Sequence, residues 1–278
     1  MSAGPPSGLL SAPGDRDRAG GRAGEKIVTL PGPARIGVTP SEEFRSIPST
    51  TRKHMSHSLP SAVLWDLDGT LLDSERLWDI PLYELTEKLG GQLSPATRRA
   101  MVGTNMSVTV PLLYAEVGLD DPSQEQIDDA ATWIDRRMAE LYRQDLPFRP
   151  GSRDALATVR ASGIPMALVT STRRDLAEIT LDKIGRDLFA ATVCGDEVDG
   201  LNKPHPEPYL KACRLLGVTP PACVAVEDSP TGVASAANAG CQVLVVPCDV
   251  PVEPGPRRTF RDSLTGLSVA DLAALLPG

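Results

Sequence analysis

The stretch Val63-Leu64-Trp65-Asp66-Leu67-Asp68-Gly69-Thr70 is an apolar run that ends in two carboxylates one residue apart, followed by Gly-Thr. Side chains alternate along a strand, so Asp66 at its C-terminal tip and Asp68 just beyond converge on one place. Gly69 lets the backbone turn there, because glycine tolerates positive φ without steric cost. Clustered carboxylates repel each other unless a cation or a shared proton compensates. The Asp-x-Asp pair therefore reads as a metal site, a catalytic acid and base, or both; the competing reading is an exposed Asp-rich turn.

Outward from this stretch the chain divides by composition. Residues 1 to about 54 are rich in Gly, Pro, Ser and Arg and carry no sustained period. Such a segment buries too little apolar surface to offset its ordering entropy. It is expected as a disordered extension over 1–58, and Met55 is an alternative translation start. Downstream of the Asp-x-Asp turn, residues 74–147 read as helices without a strand signal. They begin with Ser74–Leu89 and end with Ser123–Arg143, whose Ile127, Ala130, Ile134, Met138 and Leu141 recur at helical spacing. After the linker Pro147-Phe148-Arg149-Pro150-Gly151, helices alternate with four short apolar runs: 166–169, 191–194, 223–226 and 243–246. Alternation of this kind predicts an α/β fold, a parallel sheet with helices on both faces, interrupted after its first strand by an inserted all-α block. The expected division is an α/β core over 59–73 and 148–278, and a helical cap over 74–147. In such sheets the active site gathers at the C-terminal ends of the strands.

Bulk properties narrow the function classes. The 278 residues carry a formal net charge of -8, which disfavours nucleic acid and anionic membranes as partners. A small anionic substrate stays possible, because a bound cation inverts the local field. The five cysteines show no Cys-x-x-Cys spacing and several sit in apolar runs, so they read as reduced core thiols of a cytoplasmic protein.

Four elements fall at successive strand ends: Asp66 and Asp68, Thr170 and Ser171, Lys203, and Glu227 with Asp228. In these terms the chain resembles the haloacid dehalogenase superfamily, in its β-phosphoglucomutase-like and sugar-phosphate phosphatase branch. Asp66-Leu67-Asp68-Gly69-Thr70 matches the family's first motif and Leu168-Val169-Thr170-Ser171 the second. Lys203-Pro204-His205-Pro206 matches the third and Glu227-Asp228-Ser229-Pro230-Thr231-Gly232 the fourth. The resemblance covers roughly residues 60–250 and implies a Rossmann-like core with a helical cap.

It further implies that Asp66 is the nucleophile of an aspartyl-phosphate mechanism and that Asp68 is acid and then base. Mg²⁺ is expected on Asp66, the backbone carbonyl of Asp68, Glu227 and Asp228. Thr170, Ser171 and Lys203 are expected to bind phosphate, and Lys203 also to stabilise the nucleophile and the transition state. Without the first motif, Lys203 would read as a loop lysine, Thr170 as a helix cap, and Glu227-Asp228 as an acidic helix start. Dehalogenation is disfavoured by Asp68 and the acidic fourth motif, and phosphonate hydrolysis by Lys88, the cap's single lysine, at the end of its helix. Trp78 stands where the mutase relatives carry histidine, and Gly103–Met106 lacks their arginine. Trp78, Asn105 and Met106 are lining positions or core, and Arg173 and Arg174 read as a solvated helix start. The expected function is Mg²⁺-dependent hydrolysis of a small phosphorylated metabolite such as a sugar phosphate, by a monomer or weak dimer. The alternatives are a phosphosugar mutase and a catalytically silent binding protein on the same scaffold.

Overall fold

A computed structural model of the protein describes residues 58–277. The extension expected over 1–58, Ser58 apart, and the start considered at Met55 lie outside the described residues. The deciding stretch forms β1 (Ala62–Trp65), whose four side chains are all fully buried. They alternate between two apolar clusters: Val63 and Trp65 face one side of the sheet, Ala62 and Leu64 the other. Burial on both faces is why the run reads as continuously apolar rather than alternating with polar residues.

Four helices follow: α1 (Glu75–Lys88), α2 (Pro95–Met101), α3 (Met106–Glu116) and α4 (Gln124–Gln144). Ser94, Asn105 and Ser123 cap the last three by accepting a backbone N–H of the first turn. Leu82, Leu113, Ile134 and Met138 of this block share one apolar cluster with Trp65, Leu67, Leu71 and Leu72. The chain then alternates as expected through α5 (Ser152–Ser162), β2 (Met166–Val169), α6 (Arg174–Ile184), β3 (Ala191–Val193) and α7 (Glu207–Leu216). It continues through β4 (Cys223–Glu227), α8 (Pro230–Ala239), β5 (Gln242–Val245), β6 (Arg258–Phe260) and α9 (Val269–Ala273).

Among the described residues, the six strands form one parallel sheet in the order β3-β2-β1-β4-β5-β6. Register places Trp65 opposite both Leu168 and Val226. The C-terminal tips of β2, β1 and β4 therefore end side by side, carrying Thr170, Asp66 and Glu227 to a common edge. The sequence reading missed β6. Its Arg-Thr-Phe triplet is short, partly exposed, and follows a proline-rich run, so it shows neither period nor apolar continuity. β4 also extends one residue further than expected, and Glu227 is its last strand residue, paired with Val245. Of the five thiols, Cys194, Cys213, Cys223 and Cys241 are buried, Cys248 is half-buried, and all are free.

Candidate active site

The sheet edge collects the residues singled out from sequence. Lys203 is 6% exposed and its Nζ donates to Asp66 Oδ1 at 2.6 Å, to Glu227 Oε1 at 2.7 Å and to the Val169 carbonyl at 3.0 Å. Burial works against the ammonium, but the two carboxylates outweigh it and hold the Lys203 pKa above the ordinary lysine range. Tyr209 on α7 adds a 2.6 Å hydrogen bond from its hydroxyl to Glu227 Oε1. The Asp228 N–H and Ser229 Oγ donate to the other oxygen, at 3.2 and 3.4 Å. Asp228 in turn accepts from Thr70 Oγ1 at 3.1 Å.

Two glycines make this crowding possible. Gly69 sits at φ +81°, and a Cβ there would overlap the Asp228 carboxylate. Gly232, one turn into α8, leaves room for the Glu227 carboxylate, which a Cβ would overlap. The glycine positions of the first and fourth motifs are thus set by close approach of carboxylates.

Asp66, Glu227 and Asp228 each place an oxygen within 4.8 Å of the others, and all three are buried. Burial pushes Asp66 up to about 7, against the pull of Lys203 and with a further push from Glu227. Asp228 rises well above the usual carboxylate range, first through burial and then through Asp66 and Glu227. The cluster thus holds more negative charge than one lysine compensates. Its all-oxygen donor set suits a hard divalent cation, and the residues fit such an ion.

Asp68 points elsewhere. Its Oδ1 accepts from Tyr142 Oη at 2.5 Å, Ser74 Oγ at 2.8 Å and Trp78 Nε1 at 3.1 Å; its Oδ2 accepts from Thr172 Oγ1 at 2.6 Å. Four donors on two oxygens fix the position and orientation of this carboxyl group. Three of the four donors come from the helical block or its entry, so the block orients this group. Burial and the neighbouring Asp68 charge keep the Tyr142 phenol well above its ordinary pKa, which preserves it as a donor.

Above the cluster lies a cavity of about 70 Å³. Asp66, Asp68, Lys203, Thr170 and Ser171 line its floor, and Trp78, Asn105 and Met106 its walls. The Thr170 hydroxyl oxygen accepts from the Thr172 N–H at 3.0 Å, while the Ser171 hydroxyl donates to the Gly103 carbonyl at 3.4 Å. Thr231 Oγ1 donates to the same carbonyl at 3.0 Å, so the turn between α2 and α3 is seated on the loop after β2 and on the first turn of α8.

The two arginines after Thr172 divide. Arg174 is tied to Glu197, Glu178 and Thr192 as part of a helix start, whereas Arg173 lines the cavity and pairs with Asp135 at 3.6 Å. Lys88 lies over the Trp133 ring, 4.3 Å from its centroid, rather than on the cavity wall. Tyr142, Thr172, Tyr209, Arg98 and Asp135 were not singled out from sequence. Each belongs to an unremarkable helix or loop pattern, and its role depends on what the fold sets opposite it.

Comparison with known proteins agrees with this geometry. Residues 60–240 match the family described as haloacid dehalogenase-like hydrolase. The chain is 31% identical over 217 residues to hexitol phosphatase B of Escherichia coli K12, across 76% of this chain and 96% of that protein. It is 30% identical over 182 residues to a phosphorylated carbohydrates phosphatase of Thermotoga maritima, across 65% and 82%. The crystal structure of CbbY from Rhodobacter sphaeroides in complex with phosphate superposes with a TM-score of 0.69 at 28% identity, across 77% of this chain and 99% of that one. A parallel sheet whose first strand ends in Asp66, with Thr170, Lys203 and the Glu227-Asp228 pair at the same edge, belongs to a chain of the haloacid dehalogenase-like hydrolase family.

Proposed function

We propose that the protein is a Mg²⁺-dependent phosphatase of small phosphorylated metabolites, sugar phosphates first, acting through an aspartyl-phosphate on Asp66. One observation carries the reading: the Asp66 carboxylate, steadied by Lys203, lies at the floor of a cavity two residues from a second, separately oriented carboxylate. Asp66, Glu227 and Asp228, with the Asp68 backbone carbonyl, would hold the ion. When bound, it would neutralise repulsion between the anionic nucleophile and the phosphate.

The remaining chemistry falls to the chain's own groups. An Asp66 oxygen attacks phosphorus as the bond to the leaving oxygen breaks, and that oxygen takes a proton from Asp68. The Asp68 carboxylate then removes a proton from water, whose oxygen attacks phosphorus and frees Asp66. Thr170, Ser171 and Lys203 bind the phosphoryl oxygens, with Lys203 opposing the charge that develops there. Helices α1–α4, over 74–147, act as the cap that excludes bulk water from the core formed by 59–73 and 148–277.

The Trp78 indole N–H is committed to Asp68, which leaves that position without the proton-transferring histidine of the mutase relatives and favours hydrolysis. The curated relatives named for hexitols and phosphorylated carbohydrates support the sugar-phosphate class. Buried free thiols support a cytoplasmic location, where a monomer or weak dimer suffices because this one chain supplies every group invoked. The test is p-nitrophenyl phosphate hydrolysis with Mg²⁺ and with EDTA, beside Asp66→Asn. Turnover is expected to vanish in both arms; activity that survives both overturns the mechanism. A panel of phosphorylated metabolites then ranks substrates.

A further inference from the structure

We infer that the cavity is shaped for a neutral, hydroxyl-bearing leaving group and turns away a substrate that carries a second phosphate. The inference rests on the phosphatase reading above and concerns the walls of the site rather than its floor. Three cations line the cavity among the described residues: Lys203, Arg98 and Arg173. Lys203 belongs to the floor and is held by Asp66 and Glu227.

Arg98 on α2 is 9% exposed and faces two carboxylates. Its Nε donates to Asp79 at 2.5 Å, and its Nη2 to Glu75 Oε2 at 2.8 Å and to the Glu75 carbonyl at 3.1 Å. Arg173 pairs with Asp135 at 3.6 Å across the gap between α4 and the loop after β2. Away from the floor, two guanidinium groups therefore meet three carboxylates, and two of those, Glu75 and Asp135, themselves line the cavity.

A second phosphate brings about 1.5 to 2 further negative charges into this partly buried cavity. Burial of such a group demands a paired cation. Here Arg98 is already held by Glu75 and Asp79, Arg173 faces Asp135 at 3.6 Å, and the second phosphate would lie against Glu75 or Asp135. Asp135 shows the strain: burial pushes it up to about 6 even with Arg173 beside it. A hydroxyl meets the opposite situation, because carboxylate oxygens on the wall accept O–H donors. The Thr104 and Thr109 hydroxyls, 2.8 Å apart, lie on the same wall, with Trp78 and Met106 to cover the carbon skeleton.

The experiment compares pairs that differ only by the second phosphate: glucose 6-phosphate with glucose 1,6-bisphosphate, and fructose 6-phosphate with fructose 1,6-bisphosphate. Initial phosphate release gives kcat/KM for each. The monophosphate is expected to be preferred by about 10-fold or more in both pairs. Glu75→Gln deletes a wall charge and relieves Arg98; Asp135→Asn does the same for Arg173. Each is expected to narrow the preference by roughly 3-fold or more, the size of a partly screened charge effect. Asp135→Asn stands in if loss of the buried Glu75–Arg98 pair prevents folding. Bisphosphates used as well as monophosphates by the unaltered enzyme, or a preference that neither carboxamide moves, would overturn the inference. Absence of p-nitrophenyl phosphate turnover would instead remove the phosphatase reading on which it rests.

Discussion

Replacing Lys203 by methionine removes the charge at the floor of the cavity while keeping most of the side-chain volume. Lys203 is 6% exposed, and its ammonium serves three acceptors at 2.6, 2.7 and 3.0 Å, two of them carboxylates. Without it, Glu227 keeps Tyr209 and its two other donors, but Asp66 Oδ1 loses its one side-chain donor among the described residues. Truncating one member of a buried ion pair costs roughly 3–5 kcal/mol, because the remaining charge stays desolvated and unpaired. For a domain of this size, each kcal/mol shifts Tm by about 2–4 °C, so the metal-free variant should melt roughly 6–20 °C below the unaltered protein. Mg²⁺ should return part of that loss, since a divalent ion on Asp66 and Asp228 supplies the missing positive charge. The assay is thermal unfolding followed by circular dichroism, in EDTA and in a Mg²⁺ series, beside phosphate release. A Lys203→Met variant that melts within about 3 °C of the unaltered protein in EDTA would refute the account of Lys203 as the compensating charge.

Three other substitutions probe different parts of the site. Gly69→Ala forces a Cβ onto the Asp228 carboxylate at φ +81°, and misplacing that group should lower p-nitrophenyl phosphate turnover about 100-fold; a variant above a tenth of normal turnover contradicts this reading. Tyr142→Phe deletes the 2.5 Å hydrogen bond to Asp68, a charged hydrogen bond worth about 1.5–3 kcal/mol, so kcat on a sugar phosphate should drop roughly 10- to 100-fold. The p-nitrophenyl ester, whose leaving group needs little protonation, should be nearly spared, and equal losses on both would exclude a positioning role for Tyr142. For Asp135, burial pushes the carboxyl up to about 6, above its unfolded value, so the folded state binds the proton more tightly. Its stabilising contribution is present below about pH 4 and is lost as pH rises toward 6. Asp135→Asn should therefore gain on the order of 1–3 kcal/mol relative to the unaltered protein between pH 4 and pH 7.5. Urea unfolding at the two pH values measures this, and a difference that does not grow with pH counts against it.

The order of strands and helices was legible because both rest on local chemistry. β1 is a four-residue run whose side chains are all buried, and Ser94, Asn105 and Ser123 announce their helices through caps that act within one turn. β6 was not legible, since an edge strand of three mixed residues takes its conformation from pairing with β5 rather than from its own sequence. Asp66, Thr170 and Glu227-Asp228 were legible for a related reason, since each follows a short apolar run, whereas Lys203, ten residues beyond β3, was legible only through the resemblance of Lys203-Pro204-His205-Pro206 to the family's third motif. Tyr209 escaped notice because it is one buried aromatic on α7, and only the approach of α7 to β4 brings its hydroxyl to Glu227.

By itself, the sequence determined which carboxylates and hydroxyls gather at one edge, because strand periodicity and the parallel-sheet pattern dictate where such ends meet. Tertiary structure alone decided how they are used. It turned Asp68 away from Asp66 onto Tyr142, Trp78, Ser74 and Thr172, and it matched Arg98 and Arg173 with carboxylates on the cavity wall. These contacts join residues up to 104 positions apart, and a single charged side chain carries no local pattern that announces its partner. The physical reason is that hydrogen bonding and charge pairing are read in space, whereas the signals that build strands and helices are read along the chain.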